Sequence, residues 1–149
     1  MNSTDIDRVL RKAENDVFYG VYPSDRLPDI NRLPALIVAN TDPAHRAGEH
    51  WIAMHIDSDG TGELFDSLAL YPPKKEFANY MNKNFVRWTS SDKQLQSAAS
   101  SFCGNYVVIY GLLRLRGMRL RSITDKFSSD TGLNDLIVHR YACRRLIVQ

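Results

Sequence analysis

The stretch from Gln96 to Tyr110 restricts the fold more than any other in this 149-residue chain. Small polar residues, Ser97-Ala98-Ala99-Ser100-Ser101, run into Phe102-Cys103-Gly104, and a nearly unbroken apolar run follows, which predicts a buried helix. Cys103 therefore stands at a helix N-terminus, where unpaired N–H groups and the positive end of the macrodipole favour a thiolate over a thiol. Gly104 leaves the first turn open to an approaching substrate. Gln96 can set a side-chain amide donor beside the Cys103 N–H, and two such donors form an oxyanion hole. The bland alternative for Cys103 is a small buried hydrophobe, because free cysteine is among the most buried residues. A base within reach of the sulfur decides between them.

Four histidines compete for that role: His45, His50, His55 and His139. His50 is preferred because a polar loop, Pro43 to Glu49, delivers it to an apolar run from Trp51 to Ile56, a common place for a catalytic group. That run breaks at Asp57-Ser58-Asp59-Gly60 and resumes as Glu63-Leu64-Phe65-Asp66, a hairpin signal. With a three-residue turn Ser58-Asp59-Gly60, Asp66 faces Ile52 and becomes a diagonal neighbour of His50 at roughly 7–8 Å, within reach of a side-chain hydrogen bond after twisting. A turn one residue longer sends the two to opposite faces. Trp51 reads mainly as core, although beside His50 it can also wall a cleft.

Elsewhere the pattern predicts a first helix capped by Ser3 or Thr4 and running to about Glu14, and an aromatic loop from Phe18 to Pro34. A buried strand is expected at Ala35–Asn40, a helix from Lys74 to Lys83, and a short strand at Phe85–Trp88. The helix that opens at Cys103 or Gly104 is expected to end near Gly117. Two more follow, around Arg121 to Phe127 and from about Thr131 to Leu146, the latter with Leu133, Leu136, Ile137, Tyr141 and Leu146 facing inward. Cys143 reads as a structural thiol there.

Taken in order, Tyr19 to Pro28, Ala35 to Asn40, Gly48-Glu49-His50-Trp51, Leu64-Phe65-Asp66 and Gln96 to Gly104 resemble the adenovirus-type cysteine protease family, adenain, with its relatives in large DNA viruses, virophages and Maverick/Polinton transposons. Gln96 lies seven residues before Cys103, as in the adenoviral branch; ubiquitin-like-protein proteases usually have one residue fewer between them. The resemblance implies an α+β, papain-like core in rearranged chain order: a mixed central sheet and a buried helix with the nucleophile at its N-terminus. It implies Cys103 as nucleophile, His50 as base, Asp66 as its orienting acid and Gln96 as oxyanion donor, with Trp51 and Gly104 beside the substrate. The implied substrates are capsid and core precursor proteins, cut at Gly-containing sites, with no metal or organic cofactor required and with an activating peptide or DNA as a family feature. Two departures stand out. The adenoviral enzyme has glutamate where Asp66 stands, and residues 67–102 contain no cysteine to tether an activating peptide.

Composition bounds the rivals. With 44% apolar and 24% charged residues, no apolar run long enough to span a membrane and no signal-peptide pattern at the start, an intracellular single domain without a membrane partner is expected. The resemblance adds the virion as a location, and a monomer is expected. A net charge of +2 does not by itself imply nucleic acid, but Arg114, Arg116, Arg119 and Arg121 form a basic run that reads either as a solvated helix face or as a nucleic-acid surface. The competing functions are thus a protease for ubiquitin or a ubiquitin-like modifier, and a non-catalytic nucleic-acid-binding virion protein.

Overall fold

Strand β2 (Ala35–Asn40) is buried at every position, because it is an inner strand of a sheet covered by helices on both faces. The computed structural model describes residues 1–14 and 16–147. Its sheet has five strands in chain order: β1 (Phe18–Tyr22), β2, β3 (Trp51–Ile56), β4 (Thr61–Phe65) and β5 (Arg87–Ser90). The central pairs β2–β3 and β3–β4 are antiparallel, and the outer pairs β1–β2 and β4–β5 are parallel. This is the mixed α+β sheet that the sequence leads one to expect.

Alternation sorts the side chains onto two cores. Leu36 and Val38 of β2, Ala53 of β3 and Phe65 of β4 join a cluster with helix α1 (Ser3–Ala13) and helix α3 (Cys103–Leu115). Ala35, Ile37 and Ala39, with Ile52, Met54, Ile56 and Leu64, face helix α2 (Lys75–Asn84) through Phe77 and Met81. Helix α3 lies against β3 with Tyr106, Val107, Val108 and Tyr110 buried, so its apolar run is apolar nearly all round because the helix is enclosed nearly all round. Two further helices complete the α3 side: the short α4 (Leu120–Thr124) and the long α5 (Thr131–Ile147). No helix among the described residues is long and apolar enough to cross a membrane.

Several expectations need correction. Asn2, not Ser3 or Thr4, caps α1, its Oδ1 accepting from the Asp5 N–H at 2.9 Å. The start of the aromatic segment is a strand, because β1 lies at the sheet edge and borrows its regularity from β2; its register shifts between Phe18 and Gly20. Strand β5 starts at Arg87, since Phe85 still caps α2 and packs with the α2-side core.

Helix α5 presents a different face from the one expected. Leu133, Leu136 and Ile137 are exposed, whereas Asn134, Asp135, Val138 and Ala142 are buried. The polar pair faces inward because the segment before α3 runs through the interior without regular pairing and its backbone needs partners. Asn134 Nδ2 donates to Leu95 O at 3.1 Å, and Asp135 Oδ1 accepts from Tyr106 Oη at 2.8 Å.

Arg114 is likewise not part of a solvated basic face. Its side chain is 6% exposed, with Nη2 3.0 Å from Asp57 Oδ1 and Nε 3.2 Å from Glu63 Oε2. Glu63 also accepts from Tyr110 Oη and from the Leu120 N–H, which ties α3, β4 and α4 together. Arg116, Arg119 and Arg121 remain exposed.

Removing one member of a buried ion pair leaves the other uncompensated. Arg114→Ala is therefore expected to cost about 3 kcal/mol of stability in urea unfolding, while Arg116→Ala stays within about 0.5 kcal/mol. Equal small effects would show that Arg114 contributes no more than a surface charge.

Candidate active site

The β3–β4 hairpin has the three-residue turn, closed by the Gly60 N–H donating to Asp57 O, with Gly60 at φ +86°. Ala53 pairs Phe65 and Met54 pairs Leu64, so the next position past β4 brings Asp66 level with the start of β3. His50 stands just before that start, fixed by its carbonyl accepting the Thr41 N–H at 2.8 Å. The loop that delivers it is pinned by Asn40, whose Oδ1 accepts from the Asp42 and Glu49 N–H groups. The result is a hydrogen bond of 2.6 Å between His50 Nε2 and Asp66 Oδ1, both side chains 10% exposed.

Two backbone N–H groups hold the carboxylate, and a third bond anchors the Asp66 backbone. Its Oδ1 accepts the Leu68 N–H at 2.9 Å and its Oδ2 the Leu70 N–H at 3.2 Å, while the Asp66 N–H donates to Ser91 Oγ at 2.9 Å. On its other side the His50 ring meets the Cys103 thiol, so carboxylate, imidazole and sulfur form one line. His45, His55 and His139 stand elsewhere: on the exposed loop, beneath α3 beside Arg114, and on α5 against Phe102.

Electrostatics turn that line into an ion pair. Burial disfavours a charged His50, but hydrogen bonds to Asp66 and Cys103, with their negative charges, outweigh it and push the ring up to about 9. Burial also pushes the Cys103 thiol up; the His50 hydrogen bond, the Trp51 backbone N–H, the imidazolium charge and the Gly104 N–H together bring it below its ordinary value. Helix α3 has no side-chain cap and no acidic residue in its first turn, so nothing there opposes a thiolate. The imidazolium is present below about 9 and the thiolate above its lowered value, and the pair exists in the window between.

Gln96, 2% exposed, closes the group. Its Nε2 donates to Ser100 O at 3.0 Å, and its Oε1 accepts from Ser67 Oγ at 2.6 Å. Gln94 instead turns its amide to the Gln96 carbonyl and lies exposed. His50, Asp66, Gln96 and Cys103 all line one cavity of about 570 Å³, whose walls include Trp51, Ile52, Leu64, Leu68, Leu70 and Phe77. Trp51 serves twice, since it also packs against the α3-side core.

Gly104 does not face this cavity, contrary to expectation. A Cβ there would lie 3.0 Å from Met1 Cβ and 3.4 Å from Ile6 Cδ1, so the missing side chain lets the N-terminal segment approach α3 closely. Cys143, half-buried on α5, sits 3.8 Å from His139 Nε2, one helical turn away, and takes no part in the cavity. Among the described residues no group of three or more His, Cys, Asp or Glu is placed to hold a metal ion. Sequence reasoning missed Ser67 and Ser91, the hydroxyls behind Gln96 and Asp66. An isolated serine carries no periodicity or spacing signal; the one pointer the sequence offers is the position of Ser67 directly after Asp66.

No protein-family model matches the sequence, and no curated protein does. Solved structures share the fold. The ASFV pS273R protease superposes with a TM-score of 0.64 at 17% identity, covering 93% of this chain and 66% of that one, so this chain spans just under two thirds of that protein's length. The central domain of the uncharacterized Lpg1148 protein from Legionella pneumophila gives a TM-score of 0.54 at 10% identity, covering 98% of this chain and 97% of that one. The core is papain-like: a mixed sheet packed on a buried helix with Cys103 at its N-terminus.

Iodoacetamide alkylation mapped by mass spectrometry reads the sulfur directly. Cys103 is expected to react with a pH midpoint below the ordinary thiol value of about 8.5, and His50→Ala to move that midpoint upward. Identical midpoints in the two proteins would show that the ring does not act on the sulfur.

Proposed function

We propose that the chain is a cysteine endopeptidase. The observation that carries the reading is the line Asp66–His50–Cys103 at the rim of a cavity that also holds a buried amide. The fold shared with the ASFV pS273R protease supports it.

In this mechanism the Cys103 thiolate attacks the scissile carbonyl carbon. The carbonyl oxygen becomes an oxyanion between Gln96 Nε2–H and the Cys103 N–H, a first-turn group with no acceptor inside its helix. The His50 imidazolium then gives its proton to the departing amine as the C–N bond breaks, leaving a thioester on Cys103. Water adds to the thioester as neutral His50 takes its proton, and the acid product leaves as the thiolate–imidazolium pair is restored. Asp66 holds the ring with Nε2 toward the carboxylate and its other nitrogen toward sulfur, and stabilises the positive charge. All of these roles are filled by protein side chains and backbone.

The finer reading is an enzyme of the adenain type, acting on capsid or core precursors of a virus or transposon at Gly-containing sites. The sequence order His50, Asp66, Gln96, Cys103 and the seven-residue step from Gln96 to Cys103 support it. Of the basic run, Arg116, Arg119 and Arg121 are the members open to a nucleic acid; Arg114 is occupied by Asp57 and Glu63.

Cleavage assays with Gly-containing capsid-type peptides beside ubiquitin-type conjugates test both levels. Cys103→Ala is expected to lower kcat/KM by at least about 10³-fold, and Gln96→Ala by roughly 10²–10³-fold. The wild-type rate should fall as pH rises through about 9, where the His50 proton is lost. Retained cleavage in Cys103→Ala would refute the assignment, and cleavage confined to ubiquitin-type conjugates would refute the adenain-type specificity.

A further inference from the structure

The two ends of the Gln96 amide are chemically different but nearly equal in shape, so its orientation must be set by its neighbours. Ser100 O can only accept, which fixes the nitrogen on that side. The oxygen then faces Ser67 Oγ, and at 2.6 Å the hydroxyl must donate to it. Ser67 is fully buried, and its carbonyl accepts both the Leu95 and Gln96 N–H groups at 2.9 and 3.0 Å. One residue thus grips the glutamine by side chain and by backbone.

We infer that Ser67 is a positioning residue that locks the Gln96 amide with its nitrogen toward the reacting carbonyl, an inference that rests on the protease reading above. The amide nitrogen carries two hydrogens and Ser100 O takes one, so the other is left for the oxyanion. A flipped amide would turn a lone-pair-bearing oxygen toward a developing negative charge, converting a stabilising contact into a repulsive one. Ser67 also follows Asp66 directly. Two adjacent residues just past the end of β4 therefore orient the two halves of the machinery, the carboxylate turning the imidazole and the hydroxyl turning the amide. Movement of that strand end would disturb both together.

Ser67→Ala leaves Gln96 Oε1 buried without its donor. The expected result is a kcat lower by roughly 10–100-fold, less than the roughly 10²–10³-fold for outright loss of an oxyanion donor, with KM changed by less than about threefold. The pH midpoint of Cys103 alkylation should not move, since the sulfur and its imidazole are untouched. The double variant Ser67→Ala/Gln96→Ala should be no slower than Gln96→Ala, because Ser67 acts through that amide. Independently of activity, the Gln96 side-chain NH₂ resonances should form one sharp pair in the wild-type chain and broaden or double in Ser67→Ala. Ser67→Thr, which keeps the hydroxyl, should restore the sharp pair. Wild-type kcat in Ser67→Ala, losses that add in the double variant, or unchanged amide resonances would each overturn the inference. Retained cleavage in Cys103→Ala would instead defeat the protease reading itself, so the two failures are distinguishable.

Discussion

A hydrogen bond of 2.6 Å joins His50 to Asp66, and it exists in only one register of the β3–β4 hairpin. Strand side chains alternate faces with a period of two, so a slip of one residue would turn Asp66 away from the imidazole. The three-residue turn at Ser58-Asp59-Gly60 prevents that slip, and the packing of Ile52, Met54 and Leu64 on one face against Ala53 and Phe65 on the other reinforces it. The hydrophobic pattern that makes the sheet is therefore also what aligns the carboxylate with the ring. Helix α3 completes the line because its own apolar surface seats it against β3, which carries the sulfur to the ring's other side.

Burial gives this line its chemical character. The imidazole and the thiol would each be driven toward the neutral form by loss of water, and the tendency is reversed where opposite charges and hydrogen bonds meet. His55, on the strand that follows His50, shows the other outcome. It too is buried, but Arg114 stands beside it, and desolvation together with that cation pulls it down to about 4. Two histidines five residues apart on β3 and its approach thus hold opposite protonation states at neutral pH, set by which neighbours the fold supplies.

Much of this was readable before any coordinates. Strand β2 emerges with its bounds unchanged from an apolar run between prolines, and the hairpin register follows from turn length and one glycine. Cys103 at the opening of a buried helix needed only the contrast between small polar residues and the apolar run. What escaped the sequence depends on partners distant along the chain. Strand β1 exists because β2 is there to pair with it. The inward face of α5 is polar because an irregular segment beneath it lacks hydrogen-bond partners, so hydrophobic spacing pointed to Leu133, Leu136 and Ile137 instead. Arg114 looked like its solvated neighbours because local sequence does not reveal Asp57 and Glu63. Gly104 was legible as a close approach, but what approaches is the N-terminal segment.

The central claim is that the fold holds the His50 ring charged between a carboxylate and a sulfur. An NMR titration of the His50 imidazole in the full chain measures this most directly. A midpoint near 9 that drops when Cys103 is replaced by alanine is the outcome the account requires. A midpoint at or below the ordinary histidine value of about 6.5, indifferent to Cys103, would contradict it.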